Sequence, residues 1–326
     1  MTNRIAFITG VSGQDGSYLA DFLLKKGYKI YGSFRRTSHR LFERLEYFDI
    51  LDKIELVKLD MTDPISINKV ISKTQPDELY NLAAQSFVGV SFDQPILTAN
   101  VNAIGALSVF EMVKEYSAHT KVYQASSSEM FGNSNEIKNE FSLMNPASPY
   151  GVSKVFAHKT AQHYREAYNL FISCGILFNH ESPLRGLEFV TRKITHNIAR
   201  IKYGFDKKLF LGNINAKRDW GFAGDYVKAM WLMLQQNEPS DYVIATEKSY
   251  SVKDFLEYAF KYSGLGDWSD FVEIDKKYFR PQDIDNLVGD ATKAKNELGW
   301  ESSMSFNKLV EIMIDSDLKS INKHVY

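Results

Sequence analysis

The sequence predicts an α/β fold: a doubly wound parallel sheet of Rossmann type, followed by a smaller C-terminal lobe. Three observations carry this. Short apolar runs alternate with helical stretches of roughly 10 to 20 residues, the rhythm of strand–helix–strand units. A glycine turn, Gly10-x-x-Gly13-x-x-Gly16, stands between the first apolar run and the first amphipathic stretch. After about Asn179 the rhythm changes to shorter elements and loop signals, and the tryptophans Trp220, Trp231, Trp268 and Trp300 all fall there.

Residues 4–9 (Arg-Ile-Ala-Phe-Ile-Thr) read as a short buried strand, and residues 17–26 as an amphipathic helix. Gly27 can stop that helix because glycine enters the left-handed conformation freely. Further strands are expected at 29–33, 54–59, 78–82, 121–125 and 171–177. Pro64 opens a helix over 65–74, where its missing N–H costs nothing. The strands are continuously apolar rather than alternating, as burial on both faces requires. Residues 1–178 are therefore expected to form the first domain, which also receives a segment near 210–245. Residues 179–326 form mainly a substrate-binding lobe.

Composition narrows the function classes. Of the 326 residues 44% are apolar and 24% charged, and the net charge of −1 offers no field for nucleic acid. No uninterrupted apolar run approaches the roughly 18–20 residues of a membrane span, and the start is too short for a signal segment, so a cytoplasmic protein is expected. The single cysteine, Cys174, allows no internal disulfide and reads as a buried strand residue. Seven histidines without an HExxH pattern give no signal for a metal.

The glycine turn sits where a dinucleotide fingerprint belongs. Gly10, Gly13 and Gly16 allow a tight turn and close backbone approach, and with Ser12, Gln14 and Asp15 they offer a helix N-terminus to a pyrophosphate. An acidic residue ending the second strand would bind a ribose and repel a 2′-phosphate. Here the chain reads Gly32-Ser33-Phe34-Arg35-Arg36. Guanidiniums bind phosphate, so NADP is favoured over NAD unless the pair is simply an exposed basic turn. Asp60 and Met61 are placed to meet an adenine, although Asp60 could equally close a strand-end turn. Leu82, Ala83, Ala84 and Ser86 would let the backbone lie against the cofactor.

Tyr150 and Lys154 are four apart and share a helix face. A lysine charge near a phenol lowers its pKa, which suits a base. Ser127 at the end of the fifth strand would meet a sugar hydroxyl; the alternative is a plain serine loop. Glu129, beside it, adds a carboxylate that can take a proton from carbon next to a ketone and return it to a departing hydroxyl.

These motifs resemble the GDP-mannose 4,6-dehydratases, a branch of the extended short-chain dehydrogenases. The resemblance rests on residues 10–20, Arg35-Arg36, 75–82, 126–132, Asn179-His180-Glu181-Ser182-Pro183, 189–195, Leu211-Gly212-Asn213 and Arg218-Asp219-Trp220. It implies that Tyr150, with Ser127 and Lys154, takes the C4 hydroxyl proton while hydride passes to NADP. Glu129 then removes the C5 proton and water leaves from C6, giving a 4-keto-6-deoxy sugar for polysaccharide synthesis. It further implies that His180 and Arg185 touch the cofactor. Ser86, Ser127, Glu129, Tyr150, Asn179, Lys193, Arg218 and Arg280 would hold a GDP-linked sugar, and homodimers or homotetramers would form. Departures are Ser127 for a usual threonine, His39-Arg40-Leu41-Phe42 for Ser-Phe-Asn-Thr, Leu184 for arginine, and Leu187-Glu188. They keep a GDP-manno-heptose open as substrate. A C4 oxidoreductase or epimerase is the alternative enzyme, and a non-catalytic NADP-binding regulator the alternative class.

Overall fold

The computed structural model describes residues 4–38, 41–134 and 136–322. The first six strands are β1 (Ile5–Thr9), β2 (Lys29–Phe34), β3 (Glu55–Lys58), β4 (Glu78–Asn81), β5 (Lys121–Ser127) and β6 (Ile172–Leu177). Three short strands, β7 (Asn179–Glu181), β8 (Leu209–Leu211) and β9 (Lys217–Phe222), precede β10 (Asp241–Ile244), which completes the main sheet. Its order is β10-β6-β5-β4-β1-β2-β3, and every pairing is parallel. The chain moves outward from β1 in one direction, then returns to β4 on its other side. That reversal opens a crevice beyond the carboxyl ends of β1 and β4, where ligands of such sheets bind.

Neighbouring strand residues go to opposite cores. Ala6, Ile8, Tyr80 and Tyr123 belong to one, and Phe7, Leu79 and Val122 to the other. Two buried faces explain the unbroken apolar runs. One face is covered by α1 (Gln14–Lys25), next to the short α2 (Glu43–Tyr47). The other carries α3 (Pro64–Thr74), the small α4 (Val88–Asp93) and α5 (Pro95–Ala99), α6 (Gly105–Tyr116) and α7 (Pro149–Tyr168). Asp63 caps α3 by accepting from the Ile65 N–H (3.0 Å). The first helix begins at Gln14, earlier than the sequence suggests, so Gly16 lies inside its first turn.

One helix is more apolar on average than the count of consecutive apolar residues indicates. The helical run Pro95–Tyr116, joined through the π-helical stretch Asn100–Ile104, has 22 residues and contains an 18-residue window of mean hydropathy 1.5, long and apolar enough to cross a bilayer. Isolated polar residues such as Asn100, Asn102 and Ser108 interrupt it, so its apolar residues form no long unbroken run. Its buried face, Ala106, Val109, Phe110 and Val113, packs in the core under the sheet.

The second lobe is built from α8 (Val190–Lys202), β8 and β9, followed by β11 (Ser249–Ser251), α10 (Val252–Ser263), β12 (Val272–Ile274), β13 (Asn286–Leu287) and α12 (Phe306–Asn322), while α9 (Ala223–Leu234) and α11 (Thr292–Leu298) pack on the first core. Strand β9 pairs with β7, β11 and β13, while α8, α10 and α12 enclose Ile194, Phe255, Phe260, Leu309 and Met313. The tryptophans do not mark this lobe. Trp231, on α9, donates to the Tyr28 hydroxyl (3.1 Å) and packs against the first core, and Trp300 donates to the Asp225 carbonyl (2.8 Å) inside that core. Residues 284–300 thus rejoin the first core before α12 completes the second.

Cys174 is buried in β6, as expected. It lies in a cluster with the buried His158 and the half-buried Asp241, where His158 Nδ1 pairs with the Ser126 hydroxyl (2.9 Å) and Arg165 ion-pairs with Asp241. Burial pushes the His158 imidazole down to about 4, against the pull of the Asp241 charge. The unfolded chain takes up this proton first, near the ordinary value of 6.5. The neutral ring therefore supports the fold fully above that value, and the support fades as pH falls towards 4, by about 3 kcal/mol in all. Urea midpoints near neutral pH and near the lower limit should show this loss in the native protein. It should be largely missing in His158→Asn, whatever that variant's stability at neutral pH.

Candidate active site

The glycine turn is shaped for close approach. Gly10 has φ +70°, and a Cβ there would lie 3.0 Å from Ala83 Cα. A Cβ on Gly16 would come within 2.5 Å of the Gly10 carbonyl oxygen, so glycine here packs the helix onto its own turn. Gly13 precedes α1 and no side chain caps the helix, which keeps first-turn N–H groups available to an anion. The Thr9 hydroxyl accepts from the Leu82 and Ala83 N–H groups (2.9 Å each), fixing the turn after β4 beside the glycines. Burial would raise the Asp15 carboxyl, but the charge and hydrogen bond of His180 (Nε2, 2.8 Å) outweigh it and bring Asp15 down to about 2. Burial opposes the His180 charge in turn, and Asp15 raises it. Both His180 nitrogens are engaged, one by Asp15 and one by the Phe178 carbonyl, so His180 positions Asp15 from the cleft wall.

Four side chains converge from one strand end and one helix start. Ser148 caps α7 by accepting from the Gly151 N–H (3.0 Å), and Pro149 occupies the first turn. Tyr150 and Lys154 follow on its buried side. Strand β5 runs on to Ser127, beyond the expected end, and the Glu129 N–H donates to the Ser127 hydroxyl (3.2 Å). A Cβ on Gly151 would lie 2.7 Å from the Glu129 carbonyl oxygen, so only glycine lets α7 approach this turn so closely. The Glu129 side chain is buried, with Arg280 Nη1 at 4.0 Å from Oε1.

The electrostatics differ from the expected lysine–phenol pairing. Burial pushes the Tyr150 phenol up to about 12, and a hydrogen bond with Ser127 is what chiefly opposes it. Lys154 is pushed down to about 8 by burial. Its ammonium donates to the Ala125 carbonyl (2.8 Å) and lies 5.8 Å from the Tyr150 ring centre. Desolvation of both groups therefore exceeds their mutual effect.

Around these groups lies a cleft of about 1280 Å³ between the two lobes. From the first lobe it is lined by Gly10, Ser12, Gly13, Gln14, Asp15, Gly16, Arg35, Asp60, Met61, Leu82, Ala83, Ala84 and Ser86. From the second come Asn179, His180, Arg185, Lys193, Arg218 and Arg280. Ser127, Glu129, Tyr150 and Lys154 stand between the two sets. Arg36 is the exception: it is exposed and outside the lining. His39 and Arg40 of the departing loop lie outside the described residues. Asp60 lines the cleft and accepts from the Thr62 N–H (2.9 Å) and hydroxyl (2.7 Å) to close a turn.

Several lining residues carried no sequence signal. Tyr278 lies under the Lys193 ammonium (3.6 Å to the ring centre), and Phe87 meets Phe189 edge to face, with Arg185 stacked on the latter. Arg218 donates to the Ile284 carbonyl (2.7 Å), which holds its guanidinium at the cleft floor.

The family model for GDP-mannose 4,6 dehydratase matches residues 7–313. The chain is 53% identical to GDP-mannose 4,6 dehydratase 1 of Arabidopsis thaliana, over 97% of its own length and 90% of the relative's. It is 44% identical to the Homo sapiens GDP-mannose 4,6 dehydratase, over 97% and 92%. Among solved structures it is similar to the dTDP-glucose 4,6-dehydratase of Bacillus anthracis in complex with NAD, with a TM-score of 0.85, 23% identity and 98% of each chain covered. At that identity the likeness speaks for the fold.

Proposed function

The chain belongs to the GDP-mannose 4,6-dehydratase family, and we propose that it is a hydro-lyase turning GDP-mannose into its GDP-4-keto-6-deoxy sugar. The observation that carries this reading is Glu129 in one pocket with Ser127, Tyr150 and Lys154. The glycine cradle, too tight for any Cβ at Gly16, and the uncapped start of α1 fit the pyrophosphate of a nicotinamide dinucleotide. Bound there, the nicotinamide supplies a hydride sink for the C4 hydrogen that is emptied again at C6, so the sugar undergoes no net oxidation.

Ser127 and Tyr150 orient the C4 hydroxyl, and the Tyr150 oxygen takes its proton. The C4 ketone acidifies the C5 hydrogen, which Glu129 removes as a proton. The same carboxyl, now protonated, gives that proton to the C6 hydroxyl as it departs as water; C5 then regains a proton from solvent through Glu129, and Tyr150 releases to solvent the one it took from the C4 hydroxyl. Lys193, Arg218 and Arg280 supply the positive charge a diphosphate needs. NADP is the favoured dinucleotide because Arg35 lines the cleft and no carboxylate ends β2. Arg35→Glu is expected to weaken NADP⁺ binding about tenfold or more while sparing NAD⁺, measured by calorimetric titration.

The assembly is a homodimer or homotetramer, supported by apolar side chains left exposed on the outer face of the α6 and α7 region: Ile104 (47%), Val152 (56%), Phe156 (43%) and Tyr168 (47%). A second copy of the chain would cover them, and Phe156→Glu should shift the sedimentation profile towards monomer.

Purified protein incubated with GDP-mannose, and separately with GDP-manno-heptose, each with catalytic NADP⁺, tests the reaction by mass spectrometry. Loss of one water without accumulating NADPH supports it, and the faster substrate identifies the sugar. Loss of two hydrogens with stoichiometric NADPH would mean a plain dehydrogenase.

A further inference from the structure

The loop between β7 and α8 carries Arg185 to the cleft, and guanidiniums grip three successive carbonyls in it. Arg192 Nη1 donates to the Pro183 carbonyl and to the Arg185 carbonyl (3.0 Å). Arg44 Nε donates to the one between them, Leu184 (2.7 Å). Arg192 is itself held by the buried Asp317 of α12, through Nε (3.0 and 2.9 Å) and Nη2 (2.7 Å), so its grip is anchored within the second lobe. Arg44 is different. From α2, its Nη1 also donates to the Ser12 carbonyl (3.2 Å), in the middle of the glycine turn. One planar side chain thus bonds the backbone on both sides of the cleft, while standing outside the lining itself.

The same seam is stitched by Gln14, whose amide donates to the His180 carbonyl (3.1 Å) and accepts from the Ser182 hydroxyl (2.8 Å). Arg44 nevertheless adds the link at Leu184, next to the residue that reaches the cleft. A fork of fixed N–H directions suits two carbonyls in different places, whereas an ammonium is a single point of charge.

We propose that Arg44 is a positioning residue that couples the two halves of the cleft. A dinucleotide on the glycine turn fixes Ser12, Arg44 passes that order to Leu184, and the loop leading into α8 with its Lys193 is thereby preset for the sugar nucleotide. Linkage makes the effect mutual, so each ligand tightens the other. This rests on the reading above that the cleft takes a nicotinamide dinucleotide and a GDP-linked sugar.

The test is calorimetric titration of the full chain with NADP⁺ and with GDP, each alone and with the other saturating, in the native protein, Arg44→Ala and Arg44→Lys. Native protein should show mutual tightening of about fivefold or more. Both variants should bind each ligand alone within a few-fold of native, with the tightening reduced to near unity. A purely structural role would lower the melting temperature and leave the ratio intact, which overturns the proposal, as does a native protein without coupling. If Arg44→Ala does not fold, Arg44→Lys decides alone. Failure of native protein to bind either ligand would instead remove the underlying reading of the cleft.

Discussion

Glu129→Gln is expected to lower the rate of water loss by about 10²–10⁴, or roughly 3–5 kcal/mol in the barrier, without loss of folding. The amide matches the carboxyl in size but cannot take the C5 proton. The local structure does not depend on the acid: the contact that shapes this turn runs from the Glu129 N–H to Ser127, and Gly151 packs on the Glu129 carbonyl. Arg280 loses its carboxylate neighbour at 4.0 Å, so affinity for GDP should hold or rise as that guanidinium becomes freer for phosphate. Two readouts locate the block. Mixing with GDP-mannose and NADP⁺ should still produce a reduced-nicotinamide absorbance, because the C4 step needs Tyr150 and not Glu129. Exchange of the C5 hydrogen with solvent deuterium should disappear. If both water loss and exchange persist at native rates, the carboxylate is idle and another group of the cleft takes the C5 proton.

The parts of this site that were legible in the sequence are those held within a few residues of each other. The glycine spacing, the four-residue interval from Tyr150 to Lys154, and Ser127 with Glu129 are local patterns imposed by one turn and one helix start. The alternation of strand and helix then implies that they meet at the same edge of a parallel sheet. What was not legible depends on contacts between distant segments. Arg44 and Leu184 are 140 positions apart, and Trp300 reaches Asp225 across 75, so neither periodicity nor composition could place them. The return of residues 284–300 to the first core is hidden for the same reason. Arg36 stands outside the lining while Arg35 is within it, a difference that two adjacent arginines do not show until the direction of the backbone is known. The run Pro95–Tyr116 escaped because counting consecutive apolar residues ignores a high average. The pairing of Lys154 with Tyr150 was foreseen as chemistry, but the size of their desolvation is a property of the packed interior.

Tyr150→Phe should cost at least as much turnover, about 10³-fold or more, because no other described oxygen of that pocket combines a hydrogen bond to Ser127 with a place on the same α7 face as Lys154. The ring is buried and stays so, and removing one hydroxyl with one hydrogen bond should change stability by only about 1 kcal/mol. GDP affinity should remain within a few-fold, which separates a missing proton acceptor from a damaged site. The pH dependence should reveal the role of Lys154. A phenol pushed up to about 12 by burial is protonated at neutral pH, so activity must rise with pH for as long as formation of the phenolate limits the rate. The Lys154 ammonium favours that phenolate. Lys154 is itself held down to about 8, so its help is full below that pH and fades above it. Lys154→Met removes the charge at every pH, and the rising limb of its kcat profile should therefore move to higher pH than in native protein. Tyr150→Phe should show no rising limb at all. An unmoved limb in Lys154→Met would assign the limb to a different group, and the role of Lys154 would then reduce to its hydrogen bond with Ala125.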